Sequence, residues 1–147
     1  MSRDFNKNKV AVLTGAAKKI GRSTAIKLAE QGFNILIHTG GKSIEEAKDT
    51  IKLLEKFKIK SNYVTGDLAN LETINIIKDA ALKLGTPSVL VNNAGLRIHE
   101  HFEKIDYKDW KKVMTVNVDA SFLCAQALIN YMVKQKWGRV INIGGLS

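Results

Sequence analysis

The chain has 147 residues, of which 45% are hydrophobic and 25% are charged, and its formal net charge is +9. This balance is that of a globular protein with one domain, and it argues against both a disordered chain and a membrane-spanning one. The polar segment 2–8 lacks the apolar stretch of a secretory signal, so we expect a cytoplasmic protein.

The excess of positive charge makes nucleic acid a partner to consider, because a basic surface attracts any polyanion. The lysines are scattered over predicted helix faces, however, and no zinc-finger spacing or basic helix stands out. We therefore do not expect nucleic-acid binding to be the primary role. The single cysteine, Cys124, cannot form an internal disulfide and stands among apolar residues. This favours a small buried side chain in a reducing compartment over a nucleophile.

Apolar runs of strand length alternate with helical patterns, which is typical of repeated βαβ units on a parallel sheet. The predicted strands cover residues 9–14, 34–38, 60–65, 88–92 and 138–144. The predicted helices cover residues 20–31, 43–57, 70–84 and 107–136, with room for a short separate turn ahead of the last.

Local signals set some of these bounds. Gly32 is placed to end the first helix, and Ser43 with Glu46 has the spacing of a capping box at the start of the second. Pro87 stands just ahead of the fourth predicted strand, where its missing N–H does no harm.

Right-handed crossovers restrict the order of the strands, and a reversal after the first half gives the order 3-2-1-4-5. We thus predict a Rossmann-like, doubly wound α/β fold of three layers over residues 1–147. Ligands bind where such an order reverses, between the carboxyl ends of strands one and four. Those ends carry Thr14-Gly15 and Asn92-Asn93-Ala94-Gly95.

The segment Thr14-Gly15-Ala16-Ala17-Lys18-Lys19-Ile20-Gly21 joins the first predicted strand directly to the first helix. A helix N-terminus carries roughly half a positive charge, and small residues let backbone N–H groups approach an anion. Lys18 and Lys19 add mobile cations. The segment therefore predicts a phosphate site, for a ligand with more phosphate than a plain pyrophosphate.

Together with Asp67-Leu68, Asn92-Asn93-Ala94-Gly95 and Asn117, this segment resembles the short-chain dehydrogenase/reductase family over the whole chain. The family's loop is Thr-Gly-x-x-x-Gly-x-Gly, and Lys19 stands where its middle glycine would be. That departure is similar to the NADPH-dependent pteridine reductases and their relatives. The resemblance implies hydride transfer between NADP(H) and a small-molecule carbonyl or pterin-like imine, in an enzyme that is a homo-oligomer at full length.

The end of the second strand bears on the choice between NADPH and NADH. A carboxylate there would bind the adenosine ribose of NADH and repel a 2′-phosphate, and this chain has none. After His38, the segment Thr39-Gly40-Gly41-Lys42-Ser43 offers a cation and a hydroxyl opposite Lys19. We expect an anion pocket that favours NADPH. The alternative is that Lys42 is merely exposed and Ser43 merely a helix cap.

The resemblance implies further cofactor contacts. Asp67 would accept a hydrogen bond from the adenine amino group, although it could instead be a helix cap, a role that Asn70 fills equally well. The turn 92–95 would brace neighbouring strands and leave room for the ribose, or form only a turn. The cofactor-binding residues expected are Gly15, Lys18, Lys19, Ile20, Gly21, His38, Lys42, Ser43, Asp67, Leu68, Asn93, Ala94 and Gly95.

Asn117 shares a predicted helical face with Val113, Ala120 and Cys124, an apolar stripe that should pack against the sheet. A buried amide there must find hydrogen-bond partners. The resemblance implies that Asn117 holds a water linking a catalytic lysine to solvent. The alternative is a simple polar link between helix and strand.

The histidines do not have a metal-binding spacing, so we expect no metal. The segment 96–102 follows the fourth strand and should line the substrate side of the pocket. Arg97, His99 and His101 are therefore candidate substrate contacts.

The reacting groups of the family are absent from their usual places. The family uses a tyrosine as proton donor, a lysine four residues later, and a serine after strand five. No Tyr-x-x-x-Lys follows strand five, and the pair Tyr107 and Lys111 precedes Asn117 and is set aside. Gly145 stands at the usual serine position, which leaves Ser147 and Asn117 as the candidate catalytic residues.

A member of the family normally needs roughly 250 residues, so we expect about two fifths of it to be absent here. Strand five would then be left as an apolar edge. Two functions lead: the cofactor-binding part of an NADPH-dependent reductase, or a catalytically inactive, dinucleotide-binding or partner-dependent fragment. A basic nucleic-acid-associated protein is the third alternative.

Overall fold

A parallel five-stranded sheet in the order β3-β2-β1-β4-β5 lies at the centre of the computed structural model, which describes residues 3–145 without the side chain of Arg3. This is the predicted order. The strands are β1 (Lys9–Leu13), β2 (Asn34–Thr39), β3 (Ser61–Thr65), β4 (Thr86–Asn92) and β5 (Arg139–Asn142). The helices are α1 (Arg3–Asn6), α2 (Lys19–Glu30), α3 (Ile44–Leu54), α4 (Leu71–Leu84), α5 (Tyr107–Met114) and α6 (Ala120–Lys134).

Helices cover both faces of the sheet and divide the core in two. Leu13 and Ile37 belong to the cluster that packs on α2 and α3, whereas their neighbours Val12 and Leu36 belong to the cluster that packs on α4 and α6. Successive strand residues point to opposite faces, so each strand contributes to both clusters. This two-sided burial explains why the central strands contain continuous apolar runs, at residues 10–13, 35–37 and 89–91.

Two local predictions at helix ends are confirmed. Gly32 follows α2 with a φ of 89°, and its N–H donates to the Ala29 carbonyl over 2.9 Å. The side chain of Asn70 caps α4 by accepting from the Glu72 N–H over 3.0 Å.

The second helix is shorter than the predicted 43–57, because 3-10 turns at Gly41–Ser43 and Glu55–Phe57 flank α3. The expected capping box is wrong, since the Ser43 side chain makes no capping hydrogen bond. Ser43 ends the first 3-10 turn at φ −127° and ψ 36°, outside the extended region that an N-cap residue adopts.

Pro87 lies inside β4 and not ahead of it. The pairing of β4 with β1 shifts between Val10 and Ala11, where Val10 faces Pro87 and Ala11 faces Val89. Proline cannot donate a hydrogen bond to the ladder, and this irregularity accommodates it.

The last predicted helix, 107–136, is a continuous rod from Tyr107 to Lys134, and a 3-10 turn at Phe102–Lys104 precedes it. Between α5 and α6 the rod contains a π-helical turn, Thr115–Asp119. Among the described residues, this rod alone is long and apolar enough to cross a membrane by length and composition, and 17% of its apolar window is buried. Its buried residues belong to the core cluster on one face of the sheet, as expected for a helix of an α/β fold.

Cys124 is one of these residues, at 1% exposure. Burial raises the pKa of its thiol to about 11, so it stays protonated at neutral pH. The expectation of a small buried side chain is confirmed.

The β5 strand is shorter than the predicted 138–144, and within residues 3–145 it pairs with β4 alone. Val140, Ile141 and Ile143 are 39%, 42% and 43% exposed. The expected apolar edge is present in the part of the chain that the structure describes.

Candidate functional site

A cleft of about 880 Å³ opens at the carboxyl ends of β1 to β4, where the strand order reverses. The thirteen residues expected to bind a cofactor all line it, although they come from separate segments. They are Gly15, Lys18, Lys19, Ile20, Gly21, His38, Lys42, Ser43, Asp67, Leu68, Asn93, Ala94 and Gly95. The structure thus brings these residues together in one cleft, and the contact of each with a ligand stays a prediction.

Sequence reasoning missed other lining residues, of which Lys112 on α5 and Val116 in the π-helical turn form one wall. Gly40, Gly41, Thr65, Gly66 and Leu96 complete the set. Lys112 and Val116 are four residues apart, so they share one face of the rod. That spacing alone does not point to a cleft, so the sequence holds no signal that could have found them.

Glycine at position 15 in the loop and at position 21 in the first turn of α2 allows close contact between backbone segments. Gly15 has a φ of 61°, and a Cβ there would lie 2.7 Å from the Cα of Ala94. A Cβ on Gly21 would lie 2.5 Å from the Cα of Ala16. The loop is therefore pressed against both the turn after β4 and the start of α2.

The start of α2 faces the cleft. Its N-cap residue, Lys18, makes no side-chain capping bond, so the first N–H groups of the helix are available to an anion. Lys19 adopts a φ of 51°, in the left-handed region, at the position where the family's loop has glycine. Lys19 thus adopts a backbone conformation that glycine reaches without strain.

A set of hydrogen bonds ties the glycine loop to the turn after β4. The Thr14 hydroxyl oxygen accepts from the N–H groups of Asn93 and Ala94 over 3.1 and 3.0 Å. In return, the Asn93 amide donates to the carbonyls of Thr14 and Gly15 over 3.1 and 2.9 Å. Asn92 donates to Asn142 on β5 over 2.8 Å. The expected bracing of neighbouring strands by these asparagines is confirmed.

His38 forms a neutral wall at the end of β2. The side chain is 3% exposed, and its Nε2 lies 3.0 Å from the carbonyl oxygen of Gly66. Burial lowers the pKa of His38, against smaller opposing effects of that carbonyl and of Asp67. With the proton on Nε2, the Nδ1 atom is a buried acceptor without a partner among the described residues.

We expect the chain to lose stability below about pH 6.5 because of His38. Its pKa is lower in the folded state than in the unfolded state, where it is about 6.5, so the unfolded chain takes up the proton first. The contribution of His38 to the free energy of unfolding is fully present above that pH and decreases as the pH falls. Urea unfolding across this range measures the slope, which His38→Gln should reduce and His99→Gln, at an exposed position, should not. An unchanged slope in His38→Gln would contradict the assignment.

Four lysines bring positive charge to the cleft: Lys18, Lys19, Lys42 and Lys112. Lys18 pairs with Glu46 over 3.1 Å. The other three are exposed and make no ion pair among residues 3–145. The alternative explanation for the segment after β2 was that Ser43 is only a helix cap. That part is wrong, because the Ser43 side chain makes no capping hydrogen bond.

Asp67 is exposed, and its Oδ1 accepts from the Ala69 N–H over 2.9 Å. The alternative role as helix cap is wrong, because Asn70 caps α4. Leu68 beside it is 5% exposed and contributes an apolar wall. Asp67 therefore retains acceptor capacity at the mouth of the cleft.

Asn117 is exposed, which corrects the expectation that it is buried against the sheet. It lies in the π-helical turn, whose wider spacing rotates it away from the buried face of α6. Its amide is satisfied by Leu96: Oδ1 accepts from the Leu96 N–H over 2.8 Å and Nδ2 donates to the Leu96 carbonyl over 3.0 Å. The polar link is therefore present, between the rod and the segment after β4.

A second cleft of about 1040 Å³ adjoins the first and shares Gly95 and Leu96 with it. Arg97, His99 and His101 line it together with Asn117 and Gly145, and their contact with a substrate stays a prediction. Tyr107 is 74% exposed and lines neither cleft. Ser147, the other candidate catalytic residue, lies outside the described residues. Among those residues, no group of three or more His, Cys, Asp or Glu side chains could hold a metal.

The sheet order and the cleft at its reversal define a Rossmann-like α/β protein. Comparison with known families is more specific, since residues 9–147 match the model of the short chain dehydrogenases. The chain belongs to the short-chain dehydrogenase family.

Individual relatives agree with this assignment. The chain is 40% identical over 136 residues to the uncharacterized oxidoreductase YohF of Escherichia coli K12, covering 91% of this chain and 53% of that protein. It superposes on the crystal structure of acetoin dehydrogenase YohF from Salmonella typhimurium with a TM-score of 0.88, at 36% identity, covering 94% and 55% of the two chains. A metagenomic short-chain oxidoreductase in complex with NADP gives a TM-score of 0.86 at 26% identity, covering 97% and 64%. The chain spans about half the length of the curated relatives it matches.

Proposed function

We propose that residues 1–147 form the NADPH-binding domain of an oxidoreductase that reduces a carbonyl compound. The observation that carries the proposal is the convergence of Lys19, Lys42 and the N-terminus of α2 on one cleft, at a strand end that has no carboxylate. A 2′-phosphate needs cations and N–H donors at this place, whereas an unphosphorylated ribose is usually held by an acidic side chain. When bound, NADPH supplies a hydride from its nicotinamide ring.

The residues of the cleft fit such a group. A Cβ on Gly40 or on Gly41 would meet no heavy atom within 4 Å, so the turn after β2 leaves open space beside Lys42. The backbone N–H groups at the start of α2 can hold the pyrophosphate, and Asp67 can accept from the adenine amino group. The NADP complex of the metagenomic relative supports this assignment.

Removing either unpaired cation should reduce NADPH affinity selectively. We expect Lys42→Ala and Lys19→Ala each to weaken NADPH binding about 5- to 20-fold, the effect of a lost charge-assisted contact of about 1–2 kcal/mol, and to change NADH binding less than about two-fold. Fluorescence titration of the reduced cofactors measures both dissociation constants. Lys27→Ala is the control, because Lys27 lies near the end of α2 and pairs with Glu30 over 2.7 Å. If both cleft variants keep the full preference for NADPH, the phosphate pocket is assigned wrongly.

The substrate is proposed to be a small carbonyl compound that enters the second cleft, where Arg97, His99 and His101 stand. The similarity to an acetoin dehydrogenase supports a hydroxyketone or diketone. A pterin-like imine is the second candidate, and the lysine at position 19 is the observation that favours it. Consumption of NADPH by a version of the chain extended beyond Ser147, in the presence of diacetyl, acetoin or a dihydropterin, tests these substrates.

A catalytically inactive dinucleotide-binding module is the competing function. Neither cleft is lined by a tyrosine among the described residues. We therefore propose that the 147-residue chain binds NADPH without turning over substrate. Turnover by this chain would contradict that assignment of its reacting groups, and turnover only by a version extended beyond Ser147 would support the reductase over the module. A cytoplasmic location and a homo-oligomeric full-length protein belong to the same proposal.

A further inference from the structure

One of the four cleft lysines is already neutralised. The Nζ of Lys18 lies 3.1 Å from the Oε1 of Glu46, a residue in the first turn of α3. Lys18 itself is the N-cap residue of α2, at the rim of the proposed phosphate site. The ion pair therefore bridges the loop after β1 and the helix after β2.

The backbone that carries Glu46 is held firmly against this loop. The Thr50 hydroxyl, at a residue that is 0% exposed, lies 2.8 Å from the Ala17 carbonyl oxygen and 2.9 Å from that of Glu46. Arg22 donates from Nη2 to the Glu46 carbonyl over 3.0 Å and from Nε to the Thr50 hydroxyl over 2.7 Å. None of these bonds uses the Glu46 carboxylate, which is left to pair with Lys18.

Glu46 carries its negative charge at neutral pH. A hydrogen bond from its own backbone N–H and the hydrogen bond from Lys18 hold the pKa of its carboxyl below the usual value. A bound 2′-phosphate would bring about two further negative charges to the same rim. Lys18 cannot serve both anions fully, and the carboxylate repels the phosphate.

We propose that Glu46 weakens discrimination between NADPH and NADH by competing with the adenosine phosphate for Lys18, an inference that rests on the proposed function. Glu46 is a positioning residue in this scheme, because it acts through Lys18 and touches no ligand. NADH carries the pyrophosphate but no 2′-phosphate, so the ion pair should change its affinity less than that of NADPH. The carboxylate therefore limits the preference that the four lysines would otherwise produce.

The test compares E46Q with the wild-type chain in titrations of NADPH and NADH at low and high salt. Glu45→Gln is a matched control, because it removes the same charge from the same helical turn while Glu45 pairs with Lys48 over 2.8 Å. We expect E46Q to tighten NADPH binding about two- to five-fold, the range for an exposed ion pair, and to tighten NADH binding less. The gain should shrink at high salt and vanish in a Lys18→Ala background.

Several results would overturn the inference. One is weaker or equal NADPH binding in E46Q, another is an equal change for both cofactors, and a third is the same gain in Glu45→Gln. A wild-type chain that binds NADPH no better than NADH contradicts the proposed function as well. If the wild-type chain prefers NADPH and E46Q has the same two dissociation constants, only the role of Glu46 is contradicted and the proposed function stands. Unfolding curves of E46Q should match the wild type, since the bonds of Thr50 and Arg22 reach only the Glu46 backbone.

Discussion

Replacing Gly21 with alanine is expected to destabilise the chain by about 2–3 kcal/mol and to weaken NADPH binding at least about ten-fold. The new Cβ would lie 2.5 Å from the Cα of Ala16, 2.9 Å from its Cβ and 2.8 Å from the amide nitrogen of Asn93. Two of these atoms cannot rotate away, so α2 must move off the loop. Such a shift displaces the helix N-terminus that is proposed to hold the pyrophosphate.

Gly41→Ala is the control for this variant. Gly41 also lines the cleft, yet nothing lies within 4 Å of a Cβ built there. We expect its stability to stay within about 0.5 kcal/mol of wild type. Urea unfolding measures stability, and fluorescence titration measures NADPH affinity. Equal effects of the two glycine substitutions would show that close packing at Gly21 is not what the fold requires.

Thr14→Val should lower the free energy of unfolding by about 2–4 kcal/mol. Thr14 is 2% exposed, and valine fills nearly the same space without the oxygen that accepts from the N–H groups of Asn93 and Ala94. Two backbone donors are then left without their acceptor at a buried junction, and each costs about 1–3 kcal/mol. The turn after β4 should separate from the glycine loop and widen the cleft.

The conservative variant Thr14→Ser keeps the hydroxyl and should cost less than about 1 kcal/mol. Urea unfolding of both variants distinguishes the hydrogen bonds from the loss of a methyl group. Hydrogen exchange of the Asn93 and Ala94 amides adds a local measure, which should accelerate in Thr14→Val and not in Thr14→Ser. Slow exchange of both amides in Thr14→Val would mean that another acceptor replaces the hydroxyl.

The strand order was predictable because it follows from local pattern and from the handedness of crossovers. The apolar runs at β1, β2 and β4 are buried on both faces, which makes them easy to recognise. The site was predictable for a related reason. In a parallel sheet the carboxyl ends of neighbouring strands meet at one edge, so motifs at those ends must converge.

The sequence-based predictions were wrong where a local feature of the backbone determined the conformation or exposure of a residue. Ser43 has the spacing of a capping box, but the 3-10 turn before α3 gives it a conformation that cannot cap. Asn117 fits an apolar stripe in an ideal helix, but the π-helical turn rotates it outward. Lys112 carries no motif, and only the path of the rod over the cleft brings it to the site.

The amino-acid sequence by itself determined the sheet order, the glycine loop at the end of β1 and the absence of a carboxylate at the end of β2, since each depends on residue type and spacing along the chain. Only the tertiary structure decided which cations are free. Glu46 lies 28 residues from Lys18, yet the pair is 3.1 Å apart because the bonds of Thr50 and Arg22 bring α3 against the loop. Charge neutralisation depends on distances through space, and no local pattern encodes them.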